Sequence, residues 1–479
     1  MHLDLAFARR HALPLCAAGV AIIGLIVAVR AHRSVLYDDA AITMRYAYRI
    51  AHGHGWTYND GDRTNGASAP LYTMILAAMS RVGWDLETAA KAIGVACFAA
   101  TIGLATWIAA RIAGLAAGLV AAVFLLVSLE YEVLALSGME SALAAALGLA
   151  AIALLLEERE TWAAIFLGLA LVNKLDAGML ALAIAVVYVA IMRRPPWRII
   201  AISAAVLAPW LVFSLAYFGS VLPYSMTQKL GPVQNPSNVY DPSWILDAIR
   251  ANGSLLVALL ALGAVAAIPA LARTNRYFAL ALGTCLGWPL LHGLVFSVLN
   301  FGDPYPWYRT VLYPPMAIAA AVTVVLAVRA AGSRPIAIAA AAAVVVFVAG
   351  ITDTRFGNAG TVVRTVAHGH QIDGSEAFEA TRRDAGRYVG RVAAEHDVIT
   401  TCYGWVAYGA LDNPISETCP LNTRVGVGPP RWVVVVSYPG VRAPKIPAGG
   451  ELKRSFLSDS PPGGATYVIE IPKSPPTKN

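Results

Sequence analysis

Two adjacent carboxylates open the first polar stretch of this chain, Tyr37-Asp38-Asp39-Ala-Ala-Ile-Thr-Met-Arg45-Tyr46. Side by side, each raises the pKa of the other, which suits a general base or a cation ligand. A structural role competes, because either acid can N-cap the helix that begins there. Five more polar motifs follow. Asn65-Gly-Ala-Ser-Ala-Pro70-Leu-Tyr-Thr has the form of a turn into an interfacial helix. Ser137-Gly-Met-Glu140 matches a capping box. Asn173-Lys174-Leu-Asp176 suits a hairpin with a snorkelling lysine. Leu222-Pro223-Tyr224-Ser-Met-Thr-Gln-Lys229 and Gly302-Asp303-Pro-Tyr-Pro-Trp307-Tyr308-Arg309 each set a cation beside aromatics. That pattern fits an aromatic belt. The alternative is a cation clamping a lipid-linked phosphate while the rings hold its isoprenoid or sugar. His292 is a lone polar group in an apolar run, as expected of a side chain that hydrogen-bonds a neighbour. The sequence contains no His-Glu-x-x-His, no Walker loop and no dinucleotide glycine fingerprint.

The elements that must carry these motifs are membrane spans. Of 479 residues, 58% are hydrophobic and 14% charged, against about 25% charged in an ordinary soluble domain. This excludes a soluble enzyme, a disordered chain and a secreted disulfide scaffold. A hydrocarbon core of about 30 Å needs roughly 20 apolar residues per helix. The apolar runs place eleven spans, near 13–30, 89–110, 113–129, 138–156, 161–173, 177–192, 199–218, 253–271, 277–299, 310–330 and 335–352. The first is read as an uncleaved span, since it ends in Arg30 with no small-residue cleavage site beyond. The run 69–82 is short and opens with Pro70, so it is read as interfacial or re-entrant. With that choice the Arg-rich loops at 111, 159, 193–198, 273–276 and 329–334 all fall on one side, which the positive-inside rule makes cytoplasmic. The six polar motifs then share the opposite, extracytoplasmic side.

The expected architecture is therefore an all-α polytopic membrane domain over 1–352, with outer loops at 31–88 and 219–252. A small extracytoplasmic α/β domain follows over 353–479. Within it, 374–396 has an amphipathic helical pattern. Val398–Thr401, Trp432–Ser437 and Thr466–Ile471 have strand character. Net charge is +7, but the basic residues lie in short clusters between apolar runs, with no aromatic-interleaved basic stripe, so no nucleic-acid partner is expected. Cys16, Cys97 and Cys285 sit in apolar runs. Cys402 and Cys419 lie in the polar C-terminal region and can pair if it is outside the cytoplasm.

The first motif continues into His52-Gly-His54-Gly55-Trp-Thr-Tyr-Asn59-Asp-Gly61. Together these residues resemble the first outer loop of membrane-embedded GT-C glycosyltransferases, most closely the terminal arabinofuranosyltransferases of the mycobacterial cell wall and their bacterial relatives. Ser137-Gly-Met-Glu140, Lys174-Leu-Asp176-Ala-Gly178, the 222–229 stretch and Gly302-Asp303 leading to Arg309 follow in the family's order. The chain departs from the family at Asn65-Gly66-Ala67 and Asn173-Lys174-Leu175.

The resemblance implies transfer of a monosaccharide from a polyprenyl-phosphate donor to a cell-envelope glycan, lipid or protein, with inversion, on the periplasmic face of the bacterial inner membrane. It implies Asp38 and Asp39 as catalytic acids, and as the ligands of a divalent cation, Mg or Mn, if one takes part. Lys229, Arg309, Arg45 and Tyr224 are the expected donor-phosphate residues. Glu140, Lys174, Asp176, Asp303, Tyr308 and His54 are expected to line the cavity. The competing class is a transporter or flippase of a lipid-linked precursor. Such a protein places ionisable groups near the midplane rather than at one rim.

Overall fold

A computed structural model describes residues 5–229, 260–299, 306–331, 367, 374–417, 427–437, 446–447, 449–458 and 464–472. Helices run α1 (Leu5–Ala31), α2 (Asp38–Ala51), α3 (Pro70–Arg81), α4 (Leu86–Ala113), α5 (Leu115–Leu126), α6 (Leu129–Ala135), α7 (Ser141–Leu156), α8 (Glu160–Asn173), α9 (Gly178–Met192), α10 (Trp197–Phe218), α11 (Tyr224–Lys229), α12 (Ile268–Thr274), α13 (Arg276–Leu299), α14 (Tyr313–Ala331), α15 (Gly374–Val392) and α16 (Gly404–Gly409). Among the described residues, six helices are long and apolar enough to cross a membrane, or seven if the α5–α6 pair, bent by 72°, is one span. The chain is a multi-pass membrane protein. Three further expected spans appear as shorter apolar helices, Ser141–Leu156, Glu160–Asn173 and Leu260–Thr274. At 1.5 Å per residue the 16 residues of α7 extend only about 24 Å. They lie almost wholly inside the bundle. The expected span 335–352 lies outside the described residues.

Helix α3 begins with Pro70 at its first turn and is 12 residues long, too short to span. It buries Pro70, Tyr72, Thr73, Leu76 and Ala77 and packs on α2 and α4. The Tyr72 hydroxyl donates to the Gly138 carbonyl at 2.8 Å. The run 69–82 therefore forms a short helix seated on the bundle.

Two polar rims form at opposite ends of the bundle. At one, Arg111 holds Glu157 at 2.6 Å, and the Tyr188 and Tyr277 hydroxyls both donate to Glu160 at 2.8 and 3.0 Å. At the other, Tyr37 N–H donates to the Ser137 carbonyl (3.0 Å) and Tyr224 N–H to the Asn65 carbonyl (2.7 Å). Ser225 Oγ donates to the Gly66 carbonyl at 3.1 Å. The second rim gathers the described parts of the motif segments.

The C-terminal region forms a five-stranded sheet from β1 (Ile399–Thr401), β2 (Ile415–Glu417), β3 (Trp432–Ser437), β4 (Glu451–Leu457) and β5 (Ala465–Glu470). The order is β2-β1-β3-β5-β4. β1 is parallel to β2 and β3, whereas β5 is antiparallel to β3 and β4. The amphipathic helix expected at 374–396 is α15. The strands expected at 398–401, 432–437 and 466–471 are β1, β3 and β5. β2 and β4 were not expected, one because it has only three residues and the other because it is a solvated edge, Glu-Leu-Lys-Arg-Ser-Phe-Leu. Cys402 is disulfide-bonded, and Cys419 lies outside the described residues.

Candidate functional site

The acid pair sits in the first turn of α2, where carboxylates favour the positive end of the helix dipole. The N-cap residue is Tyr37, and no side chain caps α2. The expected N-cap role for Asp38 or Asp39 is therefore corrected: Asp38 serves another helix, 366 residues away in sequence. Its Oδ2 accepts from Gly404 N–H at 2.8 Å and its Oδ1 from Trp405 N–H at 3.0 Å. One and two helical turns further along α2, the same face carries Ile42 and Arg45. Arg45 is fully buried. Its Nε donates to the Tyr58 carbonyl, its Nη1 to the carbonyls of Ala407 and Ala410, and its Nη2 to that of Asn413. Asn59 then makes a two-way hydrogen bond with the backbone of Ile415, at 2.8 and 2.9 Å. Three conspicuous polar residues of the first motif thus dock the C-terminal region.

This corrects the assignment of Arg45 to donor phosphate. A guanidinium with no exposed surface and four carbonyl partners leaves no room for an anion. His54 is corrected as well. It lies away from the cavity, 3.5 Å from Asp60, which also pairs with Arg49. Burial raises the Asp60 carboxyl, but the Arg49 and His54 contacts outweigh it and hold the group below the usual carboxylate range.

Opposite the acid pair, α15 contributes Glu379 and Arg382. Both Glu379 oxygens accept from Arg382 Nη1 at 3.1 Å, and the Arg382 guanidinium lies over the Phe378 and Tyr403 rings at 4.6 and 4.9 Å. Burial raises the Asp38 carboxyl above its usual value, while Arg382 and the two amides pull it back. Burial pushes Glu379 up to about 8, opposed by Arg382 and Arg33 and reinforced by Asp38 and Asp39. The sequence reading missed Glu379 and Arg382, because an amphipathic helix of alternating charges looks like any solvated one.

Since the folded Glu379 value lies above the ordinary 4.5, docking takes up a proton. The stabilisation is complete below about pH 4.5 and is lost as pH rises through about 8. Protection of the 374–472 region from protease is expected to weaken across that window, and Glu379→Gln to flatten the dependence. An equally steep profile in the variant would assign the titration to another group.

The second cluster lines a cavity of about 150 Å³ walled by Lys174, Asp176, Tyr308, Ser68 and Ser225 on its polar side and by Met179, Met226 and Phe296 among its apolar groups. Lys174 Nζ donates to Glu140 at 2.5 Å, lies 3.9 Å from Asp176, and stands 4.7 Å over the Tyr308 ring. Lys174 and Glu140 are almost completely enclosed, with side-chain exposures of 9% and 5%. The capping-box reading of Ser137-Gly-Met-Glu140 is corrected. Glu140 makes no capping bond to α7 and turns to Lys174. Lys174, Asp176 and Tyr308 stand together on this wall, and Glu140 lies behind Lys174 and not on the wall itself.

Arg309 is not on that wall. It is nearly buried, 3.5 Å from Glu130, and its Nε has no hydrogen-bond partner among the described residues. Tyr224 donates its backbone N–H to Asn65, while its neighbours Pro223, Ser225 and Met226 line the cavity. Asp303 and the side chain of Lys229 lie outside the described residues. The two clusters are linked by rings: Tyr37, next to the acid pair, meets Trp307 at 6.1 Å, and Trp307 meets Tyr308 at 6.3 Å.

Asp38 does not suit a divalent cation as it stands. Two amide hydrogens already point at its oxygens and Arg382 lies close by, so a metal would meet positive charge. At the cavity, the Lys174 ammonium occupies the place between Glu140 and Asp176. No group of three acidic, His or Cys side chains able to hold a metal occurs among the described residues.

The bundle and its C-terminal sheet are similar to solved membrane proteins. ArnT from Cupriavidus metallidurans, solved bound to undecaprenyl phosphate, matches with a TM-score of 0.60 at 14% identity, over 96% of this chain and 98% of that one. The apo oligosaccharyltransferase of Archaeoglobus fulgidus matches at 0.56 and 10%, over 88% of this chain and 69% of that one. AglB from the same organism, in complex with an inhibitory peptide and a dolichol-phosphate, gives 0.57 and 11%, over 87% and 69%. At these identities the likeness is one of fold alone, a polytopic helical membrane bundle with a small C-terminal sheet. No family model and no curated protein sequence matches the chain.

Proposed function

We propose that the chain is a membrane glycosyltransferase. It moves a monosaccharide from a polyprenyl-phosphate donor to a cell-envelope acceptor at the extracytoplasmic face of the bacterial inner membrane. The observation that carries the reading is the cavity at Lys174. It joins a polar wall suited to a sugar and phosphate with an apolar wall suited to a prenyl chain, at the same rim as the acid pair. The fold supports it, since solved proteins of this shape hold undecaprenyl phosphate and dolichol-phosphate.

In the reaction, an acceptor hydroxyl attacks the anomeric carbon in line with the departing phosphate oxygen. Its proton passes to Asp38, the new C–O bond forms, and the old C–O bond breaks with its electron pair going to polyprenyl phosphate. A carboxylate has about four lone-pair sites, so the two amides leave Asp38 capacity for that proton. Asp39 orients the acceptor and offsets positive charge on the sugar ring. Lys229 takes the negative charge of the leaving phosphate, and Arg309, buried behind Tyr308 and 3.5 Å from Glu130, adds its positive field to the site without touching it. Asp303, from the same sequence motif as Arg309, is a further candidate for the polar lining. The displacement is not routed through a metal, because two backbone amides and Arg382 already meet the Asp38 carboxylate.

The resemblance of the first motif puts arabinofuranose among the candidate sugars, and a hexose or an aminopentose is equally open. The test is to incubate the purified chain with a panel of polyprenyl-phosphate sugars and measure free polyprenyl phosphate. Release with one member is expected. Movement of the intact lipid across vesicles without release would instead indicate a flippase.

A further inference from the structure

We infer that Gly404 and Arg45 are positioning residues for Asp38: they lay the 404–413 segment along α2, and that seating holds the Asp38 carboxylate in one orientation for its work on the acceptor hydroxyl. The inference rests on the reading of Asp38 as base.

Three observations carry it. The two amides reach separate oxygens of the same carboxylate, at 2.8 and 3.0 Å, so they fix its plane as well as its place. Arg45 grips the far end of the same segment through the carbonyls of Ala407, Ala410 and Asn413. Gly404 allows the contact. A Cβ there would overlap the Asp38 carbonyl oxygen and come within 2.9 Å of Ile42 Cγ1. Any side chain at 404 must therefore lift the segment from α2. An aspartate side chain left without these donors is free to change rotamer, and the reacting oxygen moves with it. A displacement of about 1 Å at a reacting group costs about 10²-fold in rate. The C-terminal region is then part of the catalytic centre, and not a separate binding module.

The segment, and α15 packed against it, are also held independently of Asp38. The Trp405 indole donates to the Leu36 carbonyl at 3.0 Å, Glu376 on α15 accepts from Ser34 Oγ and Val35 N–H, and Arg387 pairs with Glu87 at 3.0 Å. Small changes at 404 or 45 should thus shift the segment without releasing it.

The experiment uses the full chain in detergent, with the donor from the polyprenyl-phosphate sugar panel that the wild type consumes. Gly404→Ala is expected to lower kcat by about 10²-fold with the donor KM unchanged. Arg45→Met should do the same, and Arg45→Lys, which keeps charge and part of the donor set, should recover some of the loss. If Gly404→Ala does not accumulate in the membrane, the Arg45 pair decides. A kcat near wild type in Gly404→Ala or Arg45→Met, alongside an inactive Asp38→Asn, would overturn the inference and leave the base reading intact. A fall in donor affinity alone would also overturn it. Normal turnover by Asp38→Asn, or no consumption of any donor by the wild type, would instead remove the reading on which the inference stands.

Discussion

Asp38→Asn is expected to lower transfer by about 10²–10⁴-fold, the usual contribution of a placed general base. The substitution is chosen because it is isosteric. Asp38→Ala would remove the base and also strip two backbone amides of their acceptor, at a cost of about 1–3 kcal/mol for each buried donor left unmet. Asparagine keeps one carbonyl oxygen for Gly404 or Trp405, so the C-terminal region should stay largely protected from protease. The pattern that supports the assignment is lost turnover with retained protection. Lost protection together with lost turnover would mean that Asp38 acts only as a clamp. Wild-type turnover would remove the base assignment outright.

Lys174→Met is expected to destabilise the membrane domain by about 3–5 kcal/mol, the cost of breaking a buried ion pair from one side. The wild-type lysine stands between Glu140 and Asp176. Without it the two carboxylates face each other across a partly apolar cavity, uncompensated. Chemical unfolding in detergent measures the loss. Adding Glu140→Leu to Lys174→Met should recover part of it, because a pair removed from both sides leaves no orphaned charge at that position. If Lys174→Met alone matched the wild type in stability, the enclosed ion pair would not exist as described. Both variants should lose donor turnover, since the polar wall of the cavity depends on this triad.

These two sites show how far local reading carries. The membrane class follows from composition, and each described apolar run that was expected to span does form a helix. Hydropathy depends only on neighbours in the chain. The amphipathic pattern of α15 and the Val-rich β3 are local signals too. The cavity residues Lys174, Asp176 and Tyr308 could be singled out because charge and aromatic groups at span ends are unusual. What each would touch was not visible. Ser137-Gly-Met-Glu140 satisfies a capping rule, yet Glu140 binds Lys174, because a buried ammonium offers a carboxylate far more than a helix amide does. Arg45 has the chemistry of a phosphate ligand, yet it is spent on carbonyls around Ala407 and Asn413.

The amino-acid order alone determined that the chain crosses the bilayer repeatedly, that its polar motifs crowd one rim, and that a small α/β region follows. These properties come from the cost of placing charge in hydrocarbon, which each segment meets by itself. Only the tertiary structure decided that Asp38 is seated by backbone amides from Gly404 and Trp405, and that Glu379 and Arg382 complete its surroundings. Those partners lie more than three hundred residues away in sequence, and a hydrogen bond depends on where two groups meet in space.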